Sequence, residues 1–168
     1  MRTKVETIMP SLIALMSMAV AASAQQDVTF TTLNGSIVTS ASLRGRVVVL
    51  LFGGTQDPQC RDEFKALGSL AERYRGKPVN IYWVSIDPAS VTNDKLNTPC
   101  GPIGSVTVLR DESRAAFKQF SGKKPQLPTI VVLNQQGQPQ GPPRGGFNPD
   151  SDLINDLAAV IDGLLAAK

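Results

Sequence analysis

The chain of 168 residues contains no histidine and only two cysteines. Without an imidazole it cannot form a Ser-His-Asp triad, a Cys-His pair or a histidine-ligated metal site. Two cysteines alone also fall short of the four ligands that a structural zinc site uses. The side chains left to carry chemistry are therefore the thiols of Cys60 and Cys100 and a small set of carboxylates.

Neither sign of charge is concentrated in one part of the chain. Lysine and arginine number 17, aspartate and glutamate 14, and the net charge is +3. Because the basic residues are spread along the sequence, nucleic-acid binding has little support. The carboxylates nearest the first cysteine and the second strand lack the dense alternating spacing of a calcium loop, so we expect them to cap and solvate helix ends. They are Asp57, Asp62, Glu63 and Asp87. No metal or cofactor is predicted.

Residues 1–24 have the pattern of a signal peptide. Arg2 and Lys4 precede a mostly apolar stretch, residues 8–22, and "ASA" at its end fits a cleavage site. A membrane anchor is the alternative, but it would need around 20 uninterrupted apolar residues, and a proline and a serine interrupt this stretch. We therefore predict export, to the periplasm or the medium, of one domain over residues 25–168 with no stable membrane span after cleavage.

Strand and helix patterns alternate along that domain. Residues 47–52, "VVVLLF", are continuously apolar, as in a strand buried on both faces. Apolar residues at 3- and 4-residue steps predict an amphipathic helix over residues 58–75. Residues 79–87, "VNIYWVSID", are typical of a second buried strand. A strand–helix–strand unit of this kind predicts parallel pairing of its two strands.

Shorter elements surround this unit. "TLNGSIVT" predicts a hairpin turned at Asn34 and Gly35 with positive φ. Residues 92–104 are expected to be irregular, and "PQGPPRGG" to be a loop or a weak edge strand. Asp150 or Ser151 is expected to cap the last helix. The remaining elements are a strand from "SVTVL", a helix over residues 112–120, a strand from "LPTIVVLNQQGQ" and a helix over residues 150–167. This order predicts an α/β domain around a mixed sheet.

Cys60 stands at the predicted start of the helix that follows the first long strand. Helix N-termini present unpaired N–H groups and a partial positive charge, which favour a thiolate and lower the pKa of a cysteine there. The alternative is a buried, inert cysteine, since free cysteine is among the residues most often found in interiors. Asp57 affects both interpretations of Cys60. As a helix N-cap it would stabilise the helix start, but its carboxylate opposes thiolate formation.

Four segments resemble the thioredoxin-like redoxin superfamily, in order and with similar spacing. They are "LNGSIVTSASLRGRVVVLLFGG", "DPQC", "VNIYWVSID" and "LPTIVVLNQQG". The superfamily includes the exported TlpA/ResA-type thiol-disulfide oxidoreductases and the AhpC/TSA peroxiredoxins. The resemblance covers nearly all of residues 25–168 and implies a thioredoxin-like fold, a central mixed β-sheet flanked by helices.

The two branches of the superfamily give Cys60 different roles. In TlpA-type proteins the strand leads into Trp-Cys-x-x-Cys, and here Gln56 stands at the tryptophan, Asp57 at the first cysteine and Cys60 at the second. Peroxiredoxins carry Thr-x-x-Cys at this turn, so "DPQC" places Cys60 at their peroxide-attacking cysteine and Asp57 at the threonine. The first comparison implies that the turn has lost its attacking thiol. The second implies peroxide reduction by Cys60.

Cys100 follows Cys60 by 40 residues (100 − 60), in a Pro- and Gly-rich segment. Some peroxiredoxins place a resolving cysteine at a comparable separation, so the resemblance implies a disulfide that forms during turnover. A plain structural disulfide is one alternative. Two thiols too far apart to bridge are the other.

The resemblance also assigns a role to "LPT", residues 127–129. Thioredoxin folds carry a cis-proline before the strand that faces the active-site turn, and Pro128 matches it. Leu127 would then line a substrate groove beside Cys60, to which Gln56 also belongs. An ordinary trans-proline at the start of a strand is the alternative.

These features together predict an exported thioredoxin-fold protein with a thiol-dependent redox role, in which Cys60 reacts and Cys100 resolves. Its partners would be protein thiols and disulfides or small peroxides, and a redox partner protein. The competing hypothesis is a catalytically inactive binding or chaperone-like module that keeps the groove near Pro128. The missing first cysteine favours the module, whereas retention of two cysteines in an otherwise cysteine-free chain favours redox chemistry.

Overall fold

The computed structural model describes residues 27–98, 100, 104–146 and 152–167. The predicted signal peptide and the predicted caps of the last helix lie outside these residues. No helix within them is both long and apolar enough to cross a membrane.

The described residues form seven strands, four α-helices and a short 3-10 helix. The strands are β1 (Thr29–Thr32), β2 (Ile37–Thr39), β3 (Val47–Gly53), β4 (Val79–Ser85), β5 (Thr107–Arg110), β6 (Thr129–Leu133) and β7 (Arg144–Gly145). The helices are α1 (Cys60–Arg73), α2 (Asn93–Asn97), α3 (Ala115–Phe120) and α4 (Leu153–Ala166), with the 3-10 helix at Ala41–Leu43.

These strands belong to one mixed sheet, in the order β2-β1-β5-β4-β3-β6-β7. β3 and β4 pair in parallel, from Val47 opposite Val79 to Gly53 opposite Ser85, which confirms the pairing predicted from the strand–helix–strand pattern. β5 joins β4 in parallel, whereas β1 and β6 pair antiparallel with β5 and β3. The carboxyl ends of β3 and β4 therefore lie side by side near the middle of the sheet.

β3 is buried along its whole length because helices cover both faces of the sheet. Val47, Val49 and Leu51 pack in an apolar cluster with side chains of α1 and α4. The residues between them pack on the opposite face with the 3-10 helix and α3. Burial on both faces explains why this strand is continuously apolar instead of alternating.

Two adjacent aromatic residues of β4 point to opposite faces, as expected for neighbours in a strand. Trp83 is fully buried on the α1 side, with its ring centroid 5.0 Å from that of Phe64. Tyr82 is partly buried and packs against the other apolar cluster. Trp83 thereby packs β4 against α1.

Some element boundaries differ from the predicted ones because local hydrogen bonds decide them. α1 begins at Cys60, two residues after the predicted start, since the preceding residues form a hydrogen-bonded turn. The stretch predicted to be irregular contains α2, whose N-cap Thr92 accepts a hydrogen bond from the amide N of Lys95 at 3.4 Å. In the hairpin only Gly35 has positive φ, 85°.

Candidate functional site

A tight turn after β3 delivers Cys60 to the first position of α1. The amide N of Asp57 donates to the carbonyl O of Gly54 at 3.0 Å, and the amide N of Cys60 donates to the carbonyl O of Asp57 at 3.2 Å. The carboxylate of Asp57 accepts a hydrogen bond from the amide N of Gln59 at 2.9 Å. Asp57 thus stabilises the turn through a local side-chain bond. The expectation that it is the helix N-cap is wrong, because Gln59 holds that position.

A disulfide joins Cys60 to Cys100, with their Cα atoms 5.8 Å apart across 40 residues of chain. This separation is typical of disulfides, and it excludes the alternative of two thiols too far apart to bridge. The lone cysteine of the turn is therefore one half of a long-range pair. The Nε of Arg61 donates to the carbonyl O of Cys100 at 3.3 Å, which is a second link between Cys100 and α1.

The two bonded cysteines differ in exposure. Cys60 is 2% exposed and belongs to the apolar cluster that contains Phe64 and Trp83. Cys100 is partly exposed to solvent. Both reach the wall of a surface cavity of about 380 Å³, called here the disulfide cavity. Its other lining residues are Thr55, Asp57, Pro58, Arg61 and Asp62.

Glu63 lies one helical turn after Cys60, with its carboxyl group buried between α1 and β4. Its side chain is fully buried, and Oε2 accepts a hydrogen bond from the indole Nε1 of Trp83 at 3.1 Å. Oε1 has no hydrogen-bond partner among the described residues. Burial raises the pKa of Glu63 to about 7, the bond from Trp83 acts in the opposite direction, and the charge of Asp57 adds to the rise. This carboxyl can therefore take up or release a proton near neutral pH.

The expectation that Glu63 solvates a helix end is wrong, and the sequence held a signal against it. Side chains three and four residues apart share a helix face, so Glu63 lies on the same buried stripe as Cys60 and Leu67. Gly53 leaves the space that the carboxyl occupies. A Cβ at Gly53 would lie 3.1 Å from Oε2 of Glu63 and 3.1 Å from Nε1 of Trp83. A larger residue at position 53 would crowd both partners of the hydrogen bond between Trp83 and Glu63.

Asp87, just beyond β4, is hydrogen-bonded to the beginning of the turn between β3 and α1. Its carboxylate, 8% exposed, accepts hydrogen bonds from the amide N of Thr55 at 3.0 Å and from the hydroxyl of Ser85 at 2.9 Å. The hydroxyl of Thr55 donates a further bond at 3.2 Å. The expectation that Asp87 caps or solvates a helix end is therefore wrong. Among the described residues, no group of three or more cysteines and carboxylates could hold a metal ion.

A larger cavity of about 640 Å³ adjoins the disulfide cavity, and both include Asp57 and Pro58 in their walls. We call it the groove. Leu127, 46% exposed, lines the groove together with Gln56. The disulfide itself lines the smaller cavity. Two neighbouring cavities thus divide the predicted site residues, apart from Pro128, which lines neither of them.

A cis peptide bond precedes β6, between Leu127 and Pro128. The cis-proline implied by the resemblance is therefore confirmed. Thr129, the first residue of β6, lies opposite Phe52 of β3 in the antiparallel pairing. This register places Leu127 next to the carboxyl end of β3, where the turn to α1 begins.

The mixed sheet, the cysteine at the start of the helix after β3 and the cis-proline before β6 define a thioredoxin-fold protein of the redoxin type. The model of the AhpC/TSA family matches residues 21–138. That match spans more than half of the chain, which therefore belongs to the AhpC/TSA family.

Solved structures similar to this chain share its fold at low sequence identity. A Chlorobium tepidum protein assigned as the thiol:disulfide interchange protein DsbE is 20% identical, with a TM-score of 0.71 over 84% of this chain and 95% of that one. The exposed lipoprotein thioredoxin of Streptococcus pneumoniae is 15% identical, with a TM-score of 0.66 over 83% and 100%. The thioredoxin domain of a Bacteroides vulgatus thiol-disulfide oxidoreductase is 17% identical, with a TM-score of 0.63 over 82% and 94%. No curated protein matched the chain. The fold is thus thioredoxin-like, of the kind seen in thiol-disulfide oxidoreductases.

Proposed function

We propose that this protein is an exported thiol-disulfide exchange protein whose Cys60–Cys100 pair cycles between the disulfide and the dithiol. The observation that carries the proposal is the disulfide itself, which stands at the start of α1 in the wall of a surface cavity. A disulfide of this kind suits an oxidising compartment, in agreement with the signal-peptide pattern. Its substrates are protein thiols and disulfides.

The reactivity of the reduced protein depends on how well the start of α1 stabilises a thiolate at Cys60. Cys60 is the first residue of a 14-residue helix, where the helix dipole stabilises a thiolate. The carboxylate of Asp57 opposes that charge, although a hydrogen bond from Gln59 engages one of its oxygens. Glu63, with its pKa of about 7, is largely neutral in mildly acidic solution and then adds no second negative charge. Exchange is therefore feasible in spite of the aspartate in the turn.

The groove is the place for the substrate polypeptide. Leu127 offers it an exposed apolar side chain, and Gln56 offers amide donors and acceptors. Asp57 and Pro58 form the wall shared with the disulfide cavity. A polypeptide bound along Leu127 would thus bring a cysteine across this shared wall to the disulfide.

Peroxide reduction is the second candidate, and membership of the AhpC/TSA family favours it. In that reaction the Cys60 thiolate attacks the O–O bond, which yields a sulfenic acid and hydroxide. Cys100 then condenses with the sulfenic acid to give the disulfide and water. The burial of Cys60 and the negative charge of Asp57 in its turn both disfavour a fast reaction with peroxide.

We expect the wild-type protein to catalyse exchange between dithiothreitol and the disulfides of insulin. The rate should exceed that of the Cys60→Ser/Cys100→Ser double variant by about tenfold or more, because only the wild type offers a reactive pair. Turbidity of the precipitating insulin chains measures this rate. Consumption of hydrogen peroxide in the same buffer measures the second candidate.

The double variant is the matched control, since it removes the sulfur pair and leaves every residue of the groove unchanged; circular dichroism checks that it is folded. Turnover of peroxide without insulin reduction would favour the second candidate. Activity in neither assay, with a disulfide that resists reduction by glutathione, would overturn both. The protein would then be a binding module held by a structural disulfide.

Export makes a separate prediction. Expressed with its first 24 residues in a Gram-negative host, the protein should reach the periplasm and begin at Gln25, because "ASA" before it fits a signal-peptidase site. Intact mass and N-terminal sequencing of the periplasmic fraction measure this. Replacing Ala24 by a bulky residue should block cleavage. A chain that stays in the cytoplasm with its first residues intact would contradict export.

A further inference from the structure

We propose that Cys100, and not Cys60, is the sulfur that forms the mixed disulfide with the substrate. The assignment rests on the proposed exchange function and reverses the order of the two cysteines expected from the sequence. Cys100 would take over the attacking role at a site whose turn carries Asp57 where TlpA-type proteins carry their attacking cysteine. Cys60 would be the partner that releases and re-forms the internal bond.

Exposure separates the two sulfurs. A thiolate must reach the sulfur that it attacks, so access helps to decide which half of a disulfide reacts. Cys60 is 2% exposed and packs with Phe64 and Trp83 in the main apolar cluster. Cys100 is partly exposed and only borders that cluster. Both cysteines line the disulfide cavity, and an incoming thiol there meets Cys100 as the more exposed of the two.

The position of Cys60 suits a leaving group. Attack on one sulfur of a disulfide expels the other as a thiolate, and expulsion is faster when that thiol has a lower pKa. Cys60 occupies the first position of α1, where the positive end of the helix dipole stabilises a negative sulfur. Attack at Cys100 thus places the departing charge at the helix start. Attack at Cys60 would place it on Cys100, which lies outside any helix.

Arg61 keeps Cys100 close to its partner when the sulfur–sulfur bond is broken. Its guanidinium Nε donates to the carbonyl O of Cys100 at 3.3 Å. This contact involves the backbone carbonyl of Cys100 and not its sulfur. The sulfur of Cys100 is then free to carry the substrate while its backbone remains linked to α1, so the Cys60 thiolate stays within reach for the return step.

The cycle balances in two exchange steps. A substrate thiolate attacks the sulfur of Cys100, the internal bond breaks, and its electron pair leaves on Cys60. A second substrate thiolate then attacks the substrate sulfur of the mixed disulfide and expels Cys100 as a thiolate. The substrate has lost two electrons and gained a disulfide, and the two protons released by its thiols are available to Cys60 and Cys100. Reduction of a substrate disulfide runs through the same steps in reverse.

Single-cysteine variants test the assignment directly. Cys60→Ser retains only Cys100, and it should form a mixed disulfide with glutathione disulfide about tenfold or more faster than Cys100→Ser, which retains only the buried Cys60. Mass spectrometry of acid-quenched samples measures the 1:1 adduct over time. The double variant corrects for background. Equal rates, or a faster reaction of Cys100→Ser, would overturn the assignment.

Removing one cysteine could expose the other and change its rate of reaction, so a second measurement uses the wild type, in which both cysteines are present. The reduced protein is treated briefly with limiting iodoacetamide, and peptide mapping should find the label on Cys100 first. Preferential labelling of Cys60 with insulin reduction intact would overturn this inference alone. Absence of insulin reduction in the wild type would overturn the proposed function, and the inference with it.

Discussion

Reduction of the Cys60–Cys100 bond should lower the free energy of unfolding by about 4 kcal/mol in the chain-entropy model, because the bond closes a loop of 40 residues. The loop contains all of α1, β4 and α2, so the unfolded chain gains considerable freedom when the bond opens. Urea unfolding of the protein with and without a reductant, followed by far-ultraviolet circular dichroism, measures the difference.

The Cys60→Ser/Cys100→Ser double variant separates the bond from any other effect of the reductant. Its unfolding midpoint should be the same in both buffers and close to that of the reduced wild type. If reduction changed the wild-type stability by less than about 1 kcal/mol, the disulfide would not restrict the unfolded chain as the loop length requires.

The second large effect concerns pH. We expect Glu63→Gln to gain stability relative to the wild type as the pH rises from 5 to 8, by up to about 3 kcal/mol. The carboxyl titrates near 4.5 when free and near 7 in the folded protein. Between these values the folded state binds the proton more tightly, so the wild type loses stability as the pH rises. Glutamine stays neutral throughout and can still accept the hydrogen bond from Trp83.

Urea unfolding of both oxidised proteins at pH 5, 6, 7 and 8 measures this effect. Asp62→Asn is the matched control, since it makes the same chemical change one residue earlier at an exposed position of α1. Its stability difference from the wild type should vary little with pH. A constant difference between Glu63→Gln and the wild type across this range would show that Glu63 does not titrate between the two values.

The sequence was sufficient for the features that depend on local pattern. The unbroken apolar run of β3 and the periodicity of α1 predicted a buried parallel strand followed by a helix, and both are observed. The placement of Cys60 at the helix start follows from the same two elements. The cis bond before Pro128 came from the resemblance, because no local signal distinguishes a cis-proline from a trans-proline.

Features decided by tertiary contacts were harder to predict from the sequence. Pairing of Cys60 with Cys100 depends on a Cα separation that spacing along the chain does not determine. Charged side chains are rarely fully buried, so Glu63 and Asp87 were expected in solvent. Glu63 is instead buried beside Trp83, in space that Gly53 leaves open. Asp87 is buried because the turn at Thr55 supplies donors to its carboxylate.

The disulfide joins the start of α1 to a residue beyond α2. Folding and the redox state of the two cysteines are therefore coupled, and each affects the free energy of the other. By linkage, the free energy by which the bond stabilises the fold equals the free energy by which folding stabilises the bond against reduction. At about 30 mV for each 1.4 kcal/mol, the expected 4 kcal/mol would make the reduction potential roughly 85 mV more negative than that of the same two cysteines in an unfolded chain. Two cysteines within a single turn close a much shorter loop and would have a smaller coupling of this kind. A partner that binds only the bridged form would thus favour the oxidised state of the pair without accepting any electrons itself.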